Sequence, residues 1–218
     1  MVIVMLGAPG AGKGTISKRL SAQLGIPHIS TGDLIRAKVQ GKDSNSEIYQ
    51  KIMDEGGLIS DEDVSRLVEE RLLEDDTKNG LIFDGFPRNL SQTALSDKVL
   101  AKFGKQVDLA INLDVSIELI LERISTRRVC PNCNAVYNTK NIPSKVEGIC
   151  DECGTEIIQR TDDSEEQVKL RLGVYADQTE PLINYYDEKG ILFNLSIKEE
   201  RTPDLTVTEI MDYINENK

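Results

Sequence analysis

No tryptophan occurs in the 218 residues, aromatics make up 5%, and there is a single histidine. So few aromatic rings imply a core of aliphatic side chains. His28 is the lone histidine, and no Ser-His-Asp or Cys-His arrangement is available around it in the sequence. It reads as a loop or strand-end residue rather than a base. No apolar run approaches the roughly 18 residues that a transmembrane helix needs. The opening Met-Val-Ile-Val-Met-Leu is short, uncharged at its front and soon interrupted by glycines. A cytosolic chain without a signal peptide is therefore expected. Basic residues are in deficit: 26 Lys and Arg against 37 Asp and Glu give a net charge of −11. That balance disfavours non-specific binding to nucleic acid or to a membrane surface. Anionic nucleotides remain compatible with it, because a local group of arginines decides that question. Repeats and low-complexity tracts are absent. The length suits one domain with insertions and is ample for a hydrophobic core.

The most informative segment is Gly7-Ala-Pro-Gly10-Ala11-Gly12-Lys13-Gly14-Thr15. It follows the apolar run 2–6 and precedes Ile16, Leu20 and Leu24 at helical spacing. Strand, glycine loop and helix N-terminus together make a phosphate cradle. Glycines let backbone N–H groups turn toward an anion, and the helix start adds unpaired donors and partial positive charge. Lys13 supplies a mobile point charge able to follow a phosphoryl group. The strict Walker A pattern places a hydroxyl directly after the lysine; here Gly14 intervenes and the hydroxyl is that of Thr15.

Strand-like runs recur at 2–6, 81–83, 107–113 and 191–195, with a shorter one near His28-Ile29. Helical faces lie between them: Val64, Leu67, Val68 and Leu72 after a capping box of Ser60 with Asp63; Ile117, Ile120, Leu121 and Ile124; and Val168, Leu172 and Tyr175 in a long helix opened by Ser164 with Gln167. This alternation predicts an α/β fold, a parallel sheet flanked by helices, with ligands at the carboxyl ends of the strands.

Residues 128–160 break that rhythm and read as an inserted module with short β-like pieces at 135–137 and 156–158. All four cysteines lie there, as Cys130-x2-Cys133 and Cys150-x2-Cys153 separated by 16 residues. Two such knuckles are a zinc signature, and four thiolates would close the metal into a structural role. A small β module needs a staple of this kind. Two disulfides, free thiols, an Fe–S cluster and a nucleic-acid-gripping zinc ribbon are the alternatives, the last opposed by the net acidity.

A second strand-end motif reads Asp84-Gly85-Phe86-Pro87-Arg88, with Gln92 four residues on. Asp84 suits Mg2+ or its water shell, or else caps a turn; Arg88 can fork onto a phosphate. Ser30-Thr31-Gly32-Asp33 with Arg36 reads as a further helix-start phosphate site or a plain N-cap. Arg123, Arg127, Arg128, Arg160 and Arg171 flank both ends of the insert. That placement suits a lid that brings positive charge onto phosphates.

With these motifs assembled, the chain resembles the adenylate kinases of the long, zinc-lid bacterial type, nearly end to end. The shared motifs are Gly7–Thr15, Ser30–Asp33 with Arg36, Gly56–Ser60, Asp84–Arg88 with Gln92, Arg127-Arg128, Arg160–Asp163 and Arg171. The resemblance implies a core of 1–29, 60–126 and 161–218, an inserted helical AMP-binding flap at 30–59 and a lid at 127–160. It implies reversible, Mg2+-dependent transfer from ATP to AMP giving two ADP, by a cytoplasmic monomer. ATP would meet Gly10, Ala11, Gly12, Lys13, Gly14, Thr15, Arg127, Val136, Tyr137 and, as a weaker match, Lys198. AMP would meet Thr31, Arg36, Gly57, Leu58, Ile59, Gly85, Phe86, Pro87, Arg88 and Gln92, whose amide suits an adenine edge. Arg160 and Arg171 resemble arginines that meet AMP and the transferring group, and Arg123 one near the phosphates. Asn134, Asn138 and Ile142–Lys145 depart from the family pattern in the lid. Pyrimidine monophosphate kinases share the core, but they usually carry Asn in place of Gln92 and lack the long lid. A zinc-ribbon nucleotide switch and a GTP-using relative are further alternatives.

Overall fold

The computed structural model describes residues 1–41 and 44–217. In chain order the elements are β1 (Val2–Leu6), α1 (Lys13–Leu24), β2 (His28–Ser30), α2 (Thr31–Gln40), α3 (Ser46–Asp54), α4 (Asp61–Leu72), β3 (Leu81–Asp84), α5 (Leu90–Lys102), β4 (Leu109–Val115), α6 (Ile117–Ser125), β5 (Arg127–Val129), β6 (Val136–Asn138), α7 (Glu165–Val174), α8 (Pro181–Glu188), β7 (Leu192–Ile197) and α9 (Pro203–Glu216). A five-stranded parallel sheet has the order β2-β3-β1-β4-β7. Among the described residues no helix is long and apolar enough to cross a membrane.

Successive side chains of a strand point to opposite faces, so β1 feeds two apolar layers. Val2, Val4 and Leu6 join Phe83, Val68, Leu100 and Tyr186 on one side. Ile3 and Met5 join Leu20, Ile111, Ile120 and Ile210 on the other. Burial on both faces is why β1 reads as an unbroken apolar run. Each such side chain contributes roughly 1.5–3 kcal/mol by leaving water.

The N-cap halves of the two expected capping pairs hold: Ser60 accepts from Asp63 N–H, and Ser164 from Gln167 N–H. The Asp63 carboxylate pairs with Arg66 instead of closing a box on Ser60. Two further details differ from the sequence pattern. The helix opened by Ser164 ends at Val174, and Tyr175–Thr179 form one wide π turn in which Glu180 N–H reaches Tyr175 O. Pro181, which heads α8, has no N–H to continue the α ladder, so the turn widens ahead of it. In the insert, 156–158 forms no strand; Ile158 and Glu156 make isolated bridges to Val129 and Ile149.

Candidate active site

The glycine loop leaves the carboxyl end of β1 and ends at Gly12, the residue before α1. Gly12 has φ +98°, in the left-handed region that glycine tolerates, and the cap carries no side-chain hydrogen bond. The first-turn N–H groups, those of Lys13, Gly14 and Thr15, are thus left to the adjoining cavity of about 950 Å³. Lys13 folds back across the loop, donating to Gly7 O at 2.6 Å and Ala8 O at 3.0 Å. Burial, together with Arg88, Arg171 and Arg127, pulls the Lys13 ammonium down to about 8, against the opposing pull of Asp84. A cation kept short of counter-charge in this way is ready for an anionic ligand.

Asp84 ends β3, and its carboxylate lies 3.4 Å from where a Cβ on Gly14 would sit. Burial raises its pKa, but the His28 hydrogen bond and the charges of Lys13 and Arg88 outweigh it and hold the group below the ordinary carboxylate value. An ionised carboxylate beside a phosphate loop fits a Mg2+ ion or its waters. Gly85 follows with φ +83°; a Cβ there would come within 2.8 Å of both Thr31 Oγ1 and Arg88 Nη2. Thr31 Oγ1 and Arg88 Nε both donate to Gly85 O, at 2.8 and 2.9 Å. The glycine of the Asp-Gly-Phe-Pro-Arg run therefore lets Thr31 and Arg88 converge.

Arginines surround this centre. Arg123 Nη1 donates to Ala11 O at 3.1 Å and pairs through Nε with Glu200. Arg127 forks onto the fully buried Asp163 carboxylate. Arg171 holds Asp162 Oδ2 at 3.0 Å and reaches Asp163 Oδ1 at 3.5 Å. Arg160, in the wall of the large cavity, is pulled down to about 10 by burial, with Arg127 and Arg36 adding to the effect. Arg36 leans on Asp33.

A second chamber adjoins the first, and Lys13, Arg36, Arg88 and Arg171 stand in the walls of both. Its walls include Thr31, Gly57, Leu58, Ile59, Gly85, Pro87 and Gln92. The Phe86 side chain instead packs into the core edge-to-face on Phe83. Gln92 is engaged at both ends of its amide: Arg88 N–H donates to Oε1, and Nε2 donates to Asp61 Oδ1, each at 2.8 Å. On the far side, Val136 and Tyr137 line the large cavity beside Arg127 and the loop residues Gly10 and Ala11. Lys198 is exposed, while its neighbours Ile197 and Glu200 face that cavity.

The cysteines come together in the insert, with one ligand atom from each within 4.8 Å of all the others. Cys130–Cys153, Cys133–Cys150 and Cys133–Cys153 sulfurs are 3.4, 3.5 and 3.6 Å apart. Four thiolates at about 2.3 Å from a tetrahedral zinc lie about 3.8 Å from one another, so the set fits that ion. A disulfide needs about 2 Å, and the cysteines are free. Asn134 follows the first knuckle at φ +57°, and Gly154 follows the second at +73°. Both knuckles take the left-handed turn, which Asn and Gly tolerate. Tyr137 Oη accepts from Asp151 N–H at 2.7 Å and lies 3.3 Å from Cys150 Sγ, within hydrogen-bond reach. Asn138, another of the departures, ties the cysteine module to the end of α6 by donating through Nδ2 to Thr126 Oγ1 at 2.7 Å.

Sequence reasoning assigned no role to several partners. His28 is the strand-end residue expected, yet its Nε2 stands 3.3 Å from Asp84 Oδ2; only the β2–β3 register brings them together. Asp162 and Asp163 were visible as part of a motif, and their adjacency to Arg160 was the available signal. Glu200 and Asp61 carried no signal of their own.

A profile of the family described as adenylate kinase matches residues 5–191. The chain is 48% identical to an adenylate kinase of Caldicellulosiruptor saccharolyticus over 92% of this chain and 93% of the relative. It is 50% identical to one of Thermodesulfovibrio yellowstonii over 90% and 91%, and 51% identical to one of Lachnospira eligens over 88% and 90%. The family match takes in the glycine loop, the Asp84 strand end and the cysteine module alike, and with these relatives it shows the chain to be an enzyme of the adenylate kinase family.

Proposed function

We propose that the chain transfers a phosphoryl group reversibly from ATP to AMP, giving two ADP, as a cytoplasmic monomer. The donor takes the large cavity. Its phosphates lie on the N–H groups of Gly10 to Thr15 and on Lys13, Arg123 and Arg127. Val136, Tyr137 and the backbone near Lys198 border the rest of the nucleotide. AMP takes the second chamber, with its phosphate toward Arg36, Arg88, Arg160 and Arg171. Thr31, Gly57 to Ile59, Gly85, Pro87 and Gln92 enclose its nucleoside, with Phe86 behind them in the core. The observation that carries this reading is that the two chambers meet at Lys13, Arg36, Arg88 and Arg171.

In the reaction, an AMP phosphate oxygen attacks the γ-phosphorus while the bond from that phosphorus to the β–γ bridging oxygen breaks. The attacking oxygen is already anionic, so no general base is required. Lys13 leaves the loop carbonyls and follows the moving group. The arginines spread the charge of the transition state, and alignment supplies most of the remainder. Bound with ATP and held through Asp84, Mg2+ would neutralise phosphate charge. Residues 127–160 act as a lid over the donor and 30–59 as a flap over AMP, on a core of 1–29, 60–126 and 161–218. Closure keeps water from acting as acceptor. Zinc on the four cysteines holds the lid's shape. A coupled assay of ADP formation tests the reading with ATP or GTP as donor and AMP, CMP or UMP as acceptor. ATP with AMP should be fastest; a faster pyrimidine acceptor or no ADP at all would refute it.

A further inference from the structure

The first turns of α4 and α5 meet at a polar cluster outside the catalytic groups. Asp61, the first residue of α4, is separated only by the N-cap Ser60 from the 56–59 segment that walls the second chamber. Its Oδ1 accepts from Gln92 Nε2 at 2.8 Å and from Asn89 Nδ2 at 3.3 Å, and its Oδ2 accepts from Ser91 Oγ. Asn89 caps α5 by accepting from Gln92 N–H at 2.8 Å. Gln92 is 1% exposed, so its amide must satisfy itself within the protein or on a ligand. Desolvation works against ionisation of Asp61, but the hydrogen bonds from Ser91, Gln92 and Asn89 prevail and keep the carboxyl below its ordinary value.

An ionised carboxylate only accepts, and the backbone N–H of Arg88 only donates. Together they admit one orientation of the Gln92 amide, with oxygen toward Arg88 and nitrogen toward Asp61. The flipped amide would set oxygen against carboxylate and N–H against N–H. The fixed amide has one lone pair on Oε1 and one N–H on Nε2 remaining. Adenine offers a complementary edge, a 6-amino donor beside the N1 acceptor. A 6-oxopurine offers the reverse, an O6 acceptor beside an N1–H donor, and would need the flipped amide.

We propose that Asp61 is the residue that positions Gln92 for adenine and against 6-oxopurines. It acts through Gln92 and touches no substrate, and the proposal rests on the reading of the second chamber as the AMP site. The test compares AMP with IMP as acceptor at saturating ATP, in the intact enzyme and in Asp61→Asn, Asp61→Ala and Gln92→Leu. Asp61→Asn is near-isosteric, and its own amide can present either an acceptor or a donor to Gln92. Both Asp61 variants should narrow the AMP/IMP ratio of kcat/KM by about tenfold, the scale of one hydrogen bond to a charged group. The change should come mainly through a higher AMP KM, with ATP KM unchanged. A merely structural role would depress both acceptors alike. An unchanged ratio in both Asp61 variants, while Gln92→Leu still raises AMP KM, would overturn the proposal and leave the chamber reading standing. An AMP KM unmoved by Gln92→Leu would overturn both.

Discussion

The phosphate centre and the cysteine lid are held by opposite means. Around Lys13 the backbone rests on a sheet buried on both faces, and the side chains are arranged at a cost. Lys13, Arg88, Arg160 and Arg171 are half-buried cations whose pKa values all fall, through desolvation first and then through neighbouring arginines, Arg127 and Arg36 among them. The lid has almost no core: Cys130, Tyr137 and Cys150, with Ala135 and Ile157 against them. There the polar groups are matched, thiol facing thiol and Tyr137 facing Cys150. Groups under mutual repulsion in a well-supported frame serve a ligand, whereas matched groups in a poorly supported frame serve the frame. Substitutions at the first should change rates with little loss of stability, and at the second the reverse.

Lys13→Met is the severest test of that division. Turnover should fall by about 10³-fold or more, the scale of losing a preorganised charge in the transition state. The melting temperature should hold or rise, because a half-buried cation among arginines has gone. Near-normal turnover would remove Lys13 from the reaction.

Gln92→Leu should raise AMP KM by about 10- to 100-fold and leave ATP KM alone, because the base loses a site built to hydrogen-bond it. Equal changes in both constants, measured by initial rates, would move Gln92 out of the AMP chamber.

The charge on Lys13 also predicts a pH profile. With its pKa near 8 in the free protein, kcat/KM for ATP should fall about tenfold per pH unit above that value as the ammonium deprotonates. The stability effect has the other sign. Between pH 8 and 10.5 the unfolded chain keeps the proton and the folded one does not, so Lys13 opposes folding below pH 8 and ceases to do so by 10.5. The melting-temperature gap between Lys13→Met and the parent should therefore shrink across that range.

The smallest effect on rate should come from the lid metal. Chelation or Cys153→Ala should remove about 3 kcal/mol of lid stability, roughly 6–12 °C in Tm for a chain of this size. At low temperature turnover should drop less than about threefold, because Lys13 and the arginines handle the phosphates. Elemental analysis of freshly purified protein should find one tightly held metal per chain. Absence of metal, or complete loss of activity with the lid still folded, would erase the contrast between the two regions.

Sequence by itself determined the glycine loop, the alternating strands and helices, the capped starts of α4 and α7 and the pair of cysteine knuckles. Each is written in neighbouring residues: a φ that only glycine adopts readily, a period of two or 3.6, a hydroxyl three residues before an N–H, two thiols three residues apart. Tertiary structure alone decided the partners. His28 meets Asp84 through the β2–β3 register, and Arg123 meets Glu200 across 77 residues. The wide turn at Tyr175 exists because a helix must continue past Pro181. Asp61 meets Gln92 only because the starts of two helices converge, 31 residues apart in the chain. Spacing along a chain sets which way a side chain points, but the charge or hydrogen bond it finds depends on what the packed sheet and helices bring opposite it.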